Sequence, residues 1–134
     1  MEGCKTGLVV TSTINHATPA CYAAHVADHN SYKKIAEHEI GYSHPLGPQV
    51  DILLGGGCCY SKPESDPTSC REAEIDLFGY AEEKGYRVVQ DRKAFDELEK
   101  GSARAAVLPY IVSSTMIGAA HSQTIARLTT SQIR

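Results

Sequence analysis

One short apolar run that ends in three consecutive glycines constrains the fold of this chain more than any other feature. The run is VDILL at residues 50–54, and Gly55, Gly56 and Gly57 follow it directly. A compact apolar run closed by a sharp turn is typical of a strand buried in a parallel sheet. Parallel strands need long crossover connections, which are usually helical. The run therefore predicts an α/β fold.

The rest of the chain alternates between strand and helix patterns, which supports this prediction. Strands are predicted at residues 5–13, 50–54, 86–89 and 105–112, and helices at residues 19–28, 32–40, 72–84 and 92–98. Thr18 before Pro19 is typical of a helix N-cap, and Gly85 is typical of a helix stop. This order predicts one α/β domain with a largely parallel central sheet and flanking helices.

Composition limits the classes of partner. The 134 residues carry a formal net charge of -3, with 42% hydrophobic and 22% charged residues. No basic patch is visible, so nucleic acid and anionic membranes are not expected partners. No apolar run approaches the ~20 residues of a membrane span, and the amino-terminal residues do not resemble a signal peptide.

The five cysteines leave two interpretations open. No Cys-x-x-Cys pair occurs, which argues against zinc-ribbon and thioredoxin sites. A bond from Cys58 or Cys59 to Cys70 would close a short loop in an oxidising compartment. Mostly free thiols are the default expectation.

Two motifs at predicted strand ends are candidates for a site. The triple glycine lacks the Gly-Lys-Ser/Thr end of a phosphate loop, which favours a tight turn with close backbone approach. In the turn after the first strand, Thr18 can cap a helix or offer its hydroxyl to Mg²⁺, and His16 can bind a metal or an anion. On the predicted first helix, His25 and His29 are spaced as a possible zinc pair, but ordinary surface or core histidines are the default.

Several blocks together resemble the alkaline phosphatase family, in particular its fungal vacuolar branch. They are residues 6–20 (TGLVVTSTINHATPA), residues 25–26 (HV) and residues 50–57 (VDILLGGG), with IAE at 35–37, PLG at 45–47 and DRKAFD at 91–96. The resemblance extends over about residues 3–110. It implies a segment of the alkaline phosphatase sandwich at residues 1–112, followed by an unmatched tail at residues 113–134.

The resemblance also implies roles for three residues. Thr18 matches the family's magnesium-binding hydroxyl, and His16 matches a position beside that magnesium. His29 stands where the family has an arginine that clamps the substrate phosphate. Histidine offers fewer donors and is mostly neutral at alkaline pH, so this departure implies weaker phosphate binding.

The family hydrolyses phosphate monoesters through a phosphoserine intermediate, with two Zn²⁺ and one Mg²⁺. The nucleophilic serine, in an Asp-Ser-Ala context, and the zinc ligands have no match in this chain. The expectation is therefore a truncated phosphatase segment that is inactive by itself. A non-catalytic α/β binding or regulatory module derived from a phosphatase is the alternative. The resemblance further implies a homodimer in the full-length family and a vacuolar or secretory location.

Overall fold

A computed structural model describes residues 5–97 and 105–107. The elements of this part follow in chain order as β1 (Gly7–Thr13), α1 (Ala17–Ala23), α2 (Tyr32–Glu39), β2 (Ile52–Gly56), a 3₁₀ turn (Cys58–Ser61), α3 (Leu77–Glu83), β3 (Arg87–Val89), α4 (Arg92–Asp96) and β4 (Ala105–Val107). The described strands form a sheet in the order β1-β2-β4-β3. Each pair of neighbouring strands is parallel. The predicted α/β fold with a parallel sheet and flanking helices is confirmed.

The core lies between the sheet and the first three helices. Leu53 of β2 is 2% exposed and Leu77 of α3 is completely buried. The buried residues that cluster with them are Ile14, Ala23, Ala36, Ile40, Val50, Ala81 and Tyr86. Buried residues of α1 and α2 thus meet the apolar strand predicted at residues 50–54.

The loop after β2 is tied down by a disulfide between Cys59 and Cys70, eleven residues apart. Of the two bonds left open by the sequence, this one forms. Among the described cysteines, Cys21 and Cys58 are free. The expectation of mostly free thiols is therefore corrected for this loop.

Helix α3 is shorter than predicted, because a capping carboxylate sets its start. The Asp76 side chain accepts hydrogen bonds from the amides of Phe78 and Gly79, each 3.0 Å long. The prediction that this helix begins at residue 72 was wrong. Its predicted end is confirmed, since Gly85 has a φ of +84°. The Gly85 and Tyr86 amides then close the last turn onto the carbonyls of Glu82 and Ala81.

Apart from the first helix, which ends earlier than predicted, the remaining predictions lie close to the observed bounds. The second predicted helix ends one residue early, and the second strand extends into the glycines. The first and third strands are shorter than predicted, as is the helix at residues 92–98, and only residues 105–107 of the last predicted strand are described. Residues 98, 108–112 and the predicted tail at 113–134 lie outside the described residues.

Candidate functional site

The candidate site is the turn that leads from β1 into α1, at the carboxyl end of the sheet. The Ile14 amide donates to the carbonyl of Gly56 at 3.0 Å, which ties the turn to the end of β2. The His16 amide donates to Thr13 at 3.1 Å, and the His16 carbonyl accepts the Ala20 amide at 2.9 Å. Ligands of α/β sheets bind at the carboxyl ends of the strands, which makes this turn the place to look for chemistry.

The triple glycine exists because β2 approaches this turn closely. A Cβ on Gly55 would lie 2.7 Å from Cγ2 of Val10. A Cβ on Gly57 would lie 2.5 Å from Cγ2 of Thr13 and 2.6 Å from Oδ1 of Asn15. Gly57 also has a φ of +98°, in the left-handed region that favours glycine. The interpretation of the glycines as a tight turn with close backbone approach is confirmed.

Below the turn lies a buried polar pair that the sequence did not predict. Nδ2 of Asn15 donates to Oε2 of Glu39 at 2.5 Å. The two residues are 1% and 2% exposed. Burial raises the pKa of Glu39 to about 8, although the hydrogen bond from Asn15 acts in the opposite direction. A sequence signal did exist, since Glu39 lies on the same face of α2 as buried Ile35 and Ala36.

Thr18 and His16 lie together at the start of α1, and both are exposed. His16 is the N-cap residue and Thr18 is inside the helix, so the prediction that Thr18 caps it was wrong. No described residue hydrogen-bonds to the Thr18 hydroxyl. The backbone carbonyl of Thr18 accepts a hydrogen bond from the Cys21 thiol at 2.9 Å. The His16 ring lies 6.1 Å from that of Tyr32, at the start of α2.

His29 lies apart from these two residues, in the connection between α1 and α2. Asp28 organises this connection, because its carboxylate accepts hydrogen bonds from the Asn30 amide at 3.0 Å and the Asn30 side chain at 3.2 Å. These contacts, led by the Asn30 amide, hold the pKa of Asp28 below its ordinary value. His29 itself is exposed.

The predicted helical face shared by His25 and His29 does not exist. Helix α1 ends at Ala23, and Ala24 is already extended. The His25 amide donates to Nδ1 of His38 at 3.2 Å instead of continuing the helix. The zinc-pair hypothesis for His25 and His29, which required that face, is therefore not supported.

His25 belongs to a cluster of three rings with His38 and His44. Nε2 of His44 lies 3.1 Å from Nδ1 of His25, and Nδ1 of His44 accepts the Leu46 amide at 3.1 Å. Burial lowers the pKa of both His38 and His44, and neighbouring rings in the cluster lower it further. These contacts occupy both ring nitrogens of His44 and the Nδ1 atoms of His25 and His38 with hydrogen bonds, as expected for structural histidines.

The donor set of the turn fits magnesium only in part. The Thr18 hydroxyl is exposed and is a hard oxygen ligand of the kind that Mg²⁺ takes. Mg²⁺ requires near-octahedral coordination, and within residues 5–97 and 105–107 no group of three or more His, Cys, Asp or Glu could hold a metal ion. Thr18 therefore fits such a site as one ligand among several.

Comparison with known proteins decides the family. The family model described as alkaline phosphatase matches residues 1–117. The chain belongs to the alkaline phosphatase family. The resemblance seen in the sequence is thereby confirmed.

Two fungal members of the alkaline phosphatase family are similar in sequence. The alkaline phosphatase of Schizosaccharomyces pombe is 45% identical over 97 residues, which are 72% of this chain and 18% of that protein. The repressible alkaline phosphatase of Saccharomyces cerevisiae is 38% identical over 117 residues, or 83% of this chain and 20% of that protein. The chain thus spans about one fifth of the length of these relatives.

Solved alkaline phosphatases share the fold. The enzyme from the Antarctic bacterium TAB5 superposes with a TM-score of 0.71 at 22% identity, covering 93% of this chain and 35% of the enzyme. The Thermus thermophilus enzyme gives 0.66 at 25% identity, covering 93% of this chain and 27% of that enzyme. A TAB5 variant in which a histidine is replaced by aspartate has Mg bound in its M3 site.

Within the described ranges no helix is long and apolar enough to cross a membrane.

Proposed function

We propose that this chain forms the magnesium-ligating turn of an alkaline phosphatase that hydrolyses phosphate monoesters through a phosphoserine, with two Zn²⁺ and one Mg²⁺. One observation carries the proposal. In a member of this family, the Thr18 hydroxyl is exposed at the carboxyl end of β1 and forms no hydrogen bond with any described residue. That hydroxyl is free to bind a hard cation.

In this proposal the residues of the chain bind and orient rather than react. Thr18 offers one oxygen ligand to Mg²⁺, and His16 lies beside it as the N-cap residue of α1. When bound, Mg²⁺ supplies positive charge that supports the reacting centre. The chain contains no serine in an Asp-Ser-Ala context, so the nucleophile and the zinc ligands have to come from elsewhere in the protein.

The experiment compares Thr18→Ala with Thr11→Ala in the full-length protein. Thr11 is a matched control, since it is also an exposed threonine but lies on β1 rather than at the start of α1. We expect Thr18→Ala to weaken Mg²⁺ affinity, measured by calorimetry, at least about 10-fold, and Thr11→Ala to leave it unchanged. Hydrolysis of a phosphate monoester should be lost on chelation. A Thr18→Ala protein with unchanged Mg²⁺ affinity, or hydrolysis that survives chelation, would contradict the proposal.

We also propose that His29 faces the substrate phosphate in place of an arginine. Its exposed position between α1 and α2, six residues beyond the end of α1, leaves the imidazole accessible to an anion. Arginine would offer a permanently charged bidentate fork, so His29→Arg should tighten inhibition by inorganic phosphate about 10-fold, and His29→Ala should weaken it. An unchanged inhibition constant in both variants would remove His29 from the site.

The assembly and location are proposals of the same kind. We propose a homodimer, a vacuolar or secretory location, and a division of the sequence into an α/β domain at residues 1–112 and a tail at residues 113–134. The Cys59–Cys70 disulfide supports an oxidising compartment. Analytical ultracentrifugation of the full-length protein tests the dimer. If that protein folds and binds no phosphate ester, the non-catalytic module becomes the better account.

A further inference from the structure

Asn15 and Glu39 form a buried polar contact beneath the turn that contains His16 and Thr18. Asn15 lies one residue before His16 and three before Thr18, and Glu39 is the last residue of α2. Both are among the most completely buried side chains of the described chain. Their hydrogen bond joins two elements that are 24 residues apart in sequence.

The pair is not an optimal core contact. Oδ1 of Asn15 and Oε1 of Glu39 are both buried, and neither has a hydrogen-bond partner within the described residues. A buried polar atom without a partner is destabilising, because it loses its hydrogen bonds to water and nothing replaces them. Apolar residues of similar size at these two positions would fill the same volume without that cost. Packing alone therefore does not account for an asparagine and a glutamate here.

The contact does restrict the turn. Gly57, held at a φ of +98°, leaves room for Oδ1 of Asn15 on one side, where a Cβ would come within 2.6 Å. Glu39 holds the other end of the same amide. The Asn15 side chain thus lies next to Gly57, just after β2, and is hydrogen-bonded to the end of α2. The backbone that continues into His16 and Thr18 starts from this fixed point.

We propose that Asn15 and Glu39 form a positioning pair, which holds the backbone of residues 15–18 so that the Thr18 hydroxyl keeps the direction a magnesium ion requires. The role as a magnesium turn rests on the proposed function, whereas the restriction of the backbone does not. Partners that orient a metal ligand without touching the metal typically change affinity 10- to 100-fold when replaced.

Three substitutions separate positioning from packing in the full-length protein. Glu39→Gln keeps an acceptor for the Asn15 amide, while Glu39→Met and Asn15→Leu keep the volume and remove the hydrogen bond. Glu37→Gln is the matched control, because Glu37 lies on the same helix and pairs with Arg71 instead. Amide hydrogen exchange of residues 15–18 in metal-free protein is the first readout, and Mg²⁺ affinity by calorimetry is the second.

A positioning role predicts that Glu39→Met and Asn15→Leu each speed exchange at residues 15–18 about 10-fold and weaken Mg²⁺ binding at least 10-fold. Glu39→Gln should restore both within about 2-fold. Wild-type exchange in Glu39→Met and Asn15→Leu, or an equal effect of Glu37→Gln, would overturn the inference. Failure of the wild-type protein to bind Mg²⁺ would contradict the proposed function. The hydrogen-exchange measurement would still show whether Asn15 and Glu39 restrict the backbone of residues 15–18.

Discussion

Arg71 joins the disulfide loop to helix α2, because its Nη2 lies 2.6 Å from Oε1 of Glu37. Nη1 of the same guanidinium donates to the carbonyls of Lys33 and Tyr60, each at 3.1 Å. The Arg71 side chain is 3% exposed and that of Glu37 is 12% exposed. The contact thus holds α2 against the loop that follows β2.

Replacing Arg71 should destabilise the fold, because it leaves the largely buried Glu37 carboxylate without its guanidinium partner. Burial acts to raise the pKa of Glu37, but hydrogen bonds from Arg71, Lys34 and Ser43 outweigh it, so the pKa lies below its ordinary value. We expect Arg71→Met to lower the free energy of unfolding by about 3 kcal/mol. Chemical denaturation measures this. In Lys34→Met, which removes a half-exposed partner of Glu37, the loss should stay below about 1 kcal/mol. Equal losses of unfolding free energy in the two variants would contradict the conclusion that Arg71 is the main partner of Glu37.

The Cys59–Cys70 disulfide should stabilise the protein by restricting its unfolded state. Its ends are eleven residues apart, and a loop of that size corresponds to about 3 kcal/mol in the chain-entropy model. The double substitution of Cys59 and Cys70 by serine should lower the free energy of unfolding by that amount. Cys21→Ser, which changes an exposed free thiol, is the control. Alkylation under non-reducing conditions should label Cys21 but not the bonded pair.

Gly57 should tolerate no side chain. Gly57→Ala combines a φ of +98° with a Cβ 2.5 Å from Cγ2 of Thr13. Gly47→Ala is a matched control, since Gly47 has a φ of +69° and nothing within 4 Å of its Cβ position. The backbone term alone costs about 1–2 kcal/mol. We expect that loss for Gly47→Ala and a loss at least about 2 kcal/mol larger for Gly57→Ala, measured by thermal unfolding. Equal losses would mean that the turn relaxes around the new methyl group.

The burial of Glu39 should make stability depend on pH. Its pKa rises from 4.5 to about 8, so the folded protein binds a proton that the unfolded chain releases between these values. The contribution is fully present below about pH 4.5 and is lost as the pH rises to about 8. Relative to Glu39→Gln, the wild-type free energy of unfolding should fall by on the order of 4 kcal/mol between pH 5 and pH 8.

The comparison with Glu39→Gln is needed because His38 and His44 act in the opposite direction. Their pKa values are lowered, so they remove stability as the pH falls below about 6.5. Both proteins contain these histidines, and their effect cancels in the difference. A difference that stays constant from pH 5 to pH 8 would show that Glu39 is ionised in the folded protein.

Local patterns in the sequence determined the kind of elements and their order. Residues 50–54 were recognised as a buried strand because a short apolar run closed by a turn is typical of a parallel sheet. Gly85 was recognised as the end of α3 because glycine readily adopts the left-handed backbone that ends a helix. The block around Thr18 indicated the alkaline phosphatase family, and the family-model match over residues 1–117 confirmed it. Thr18 and His16 were also named from this block, and His29 from its spacing to the matched His25, and the roles of all three stay predictions.

Only the tertiary structure decided where α1 ends and what supports the turn. Helix α1 stops at Ala23 because the His25 amide bonds to His38, thirteen residues further along the chain. Asn15 meets Glu39 across 24 residues, and Arg71 meets Glu37 across 34. Helix propensity and periodicity describe contacts within a few residues, whereas these hydrogen bonds form only once the sheet has brought distant segments together. For that reason the sequence could identify the turn but not the buried pair beneath it.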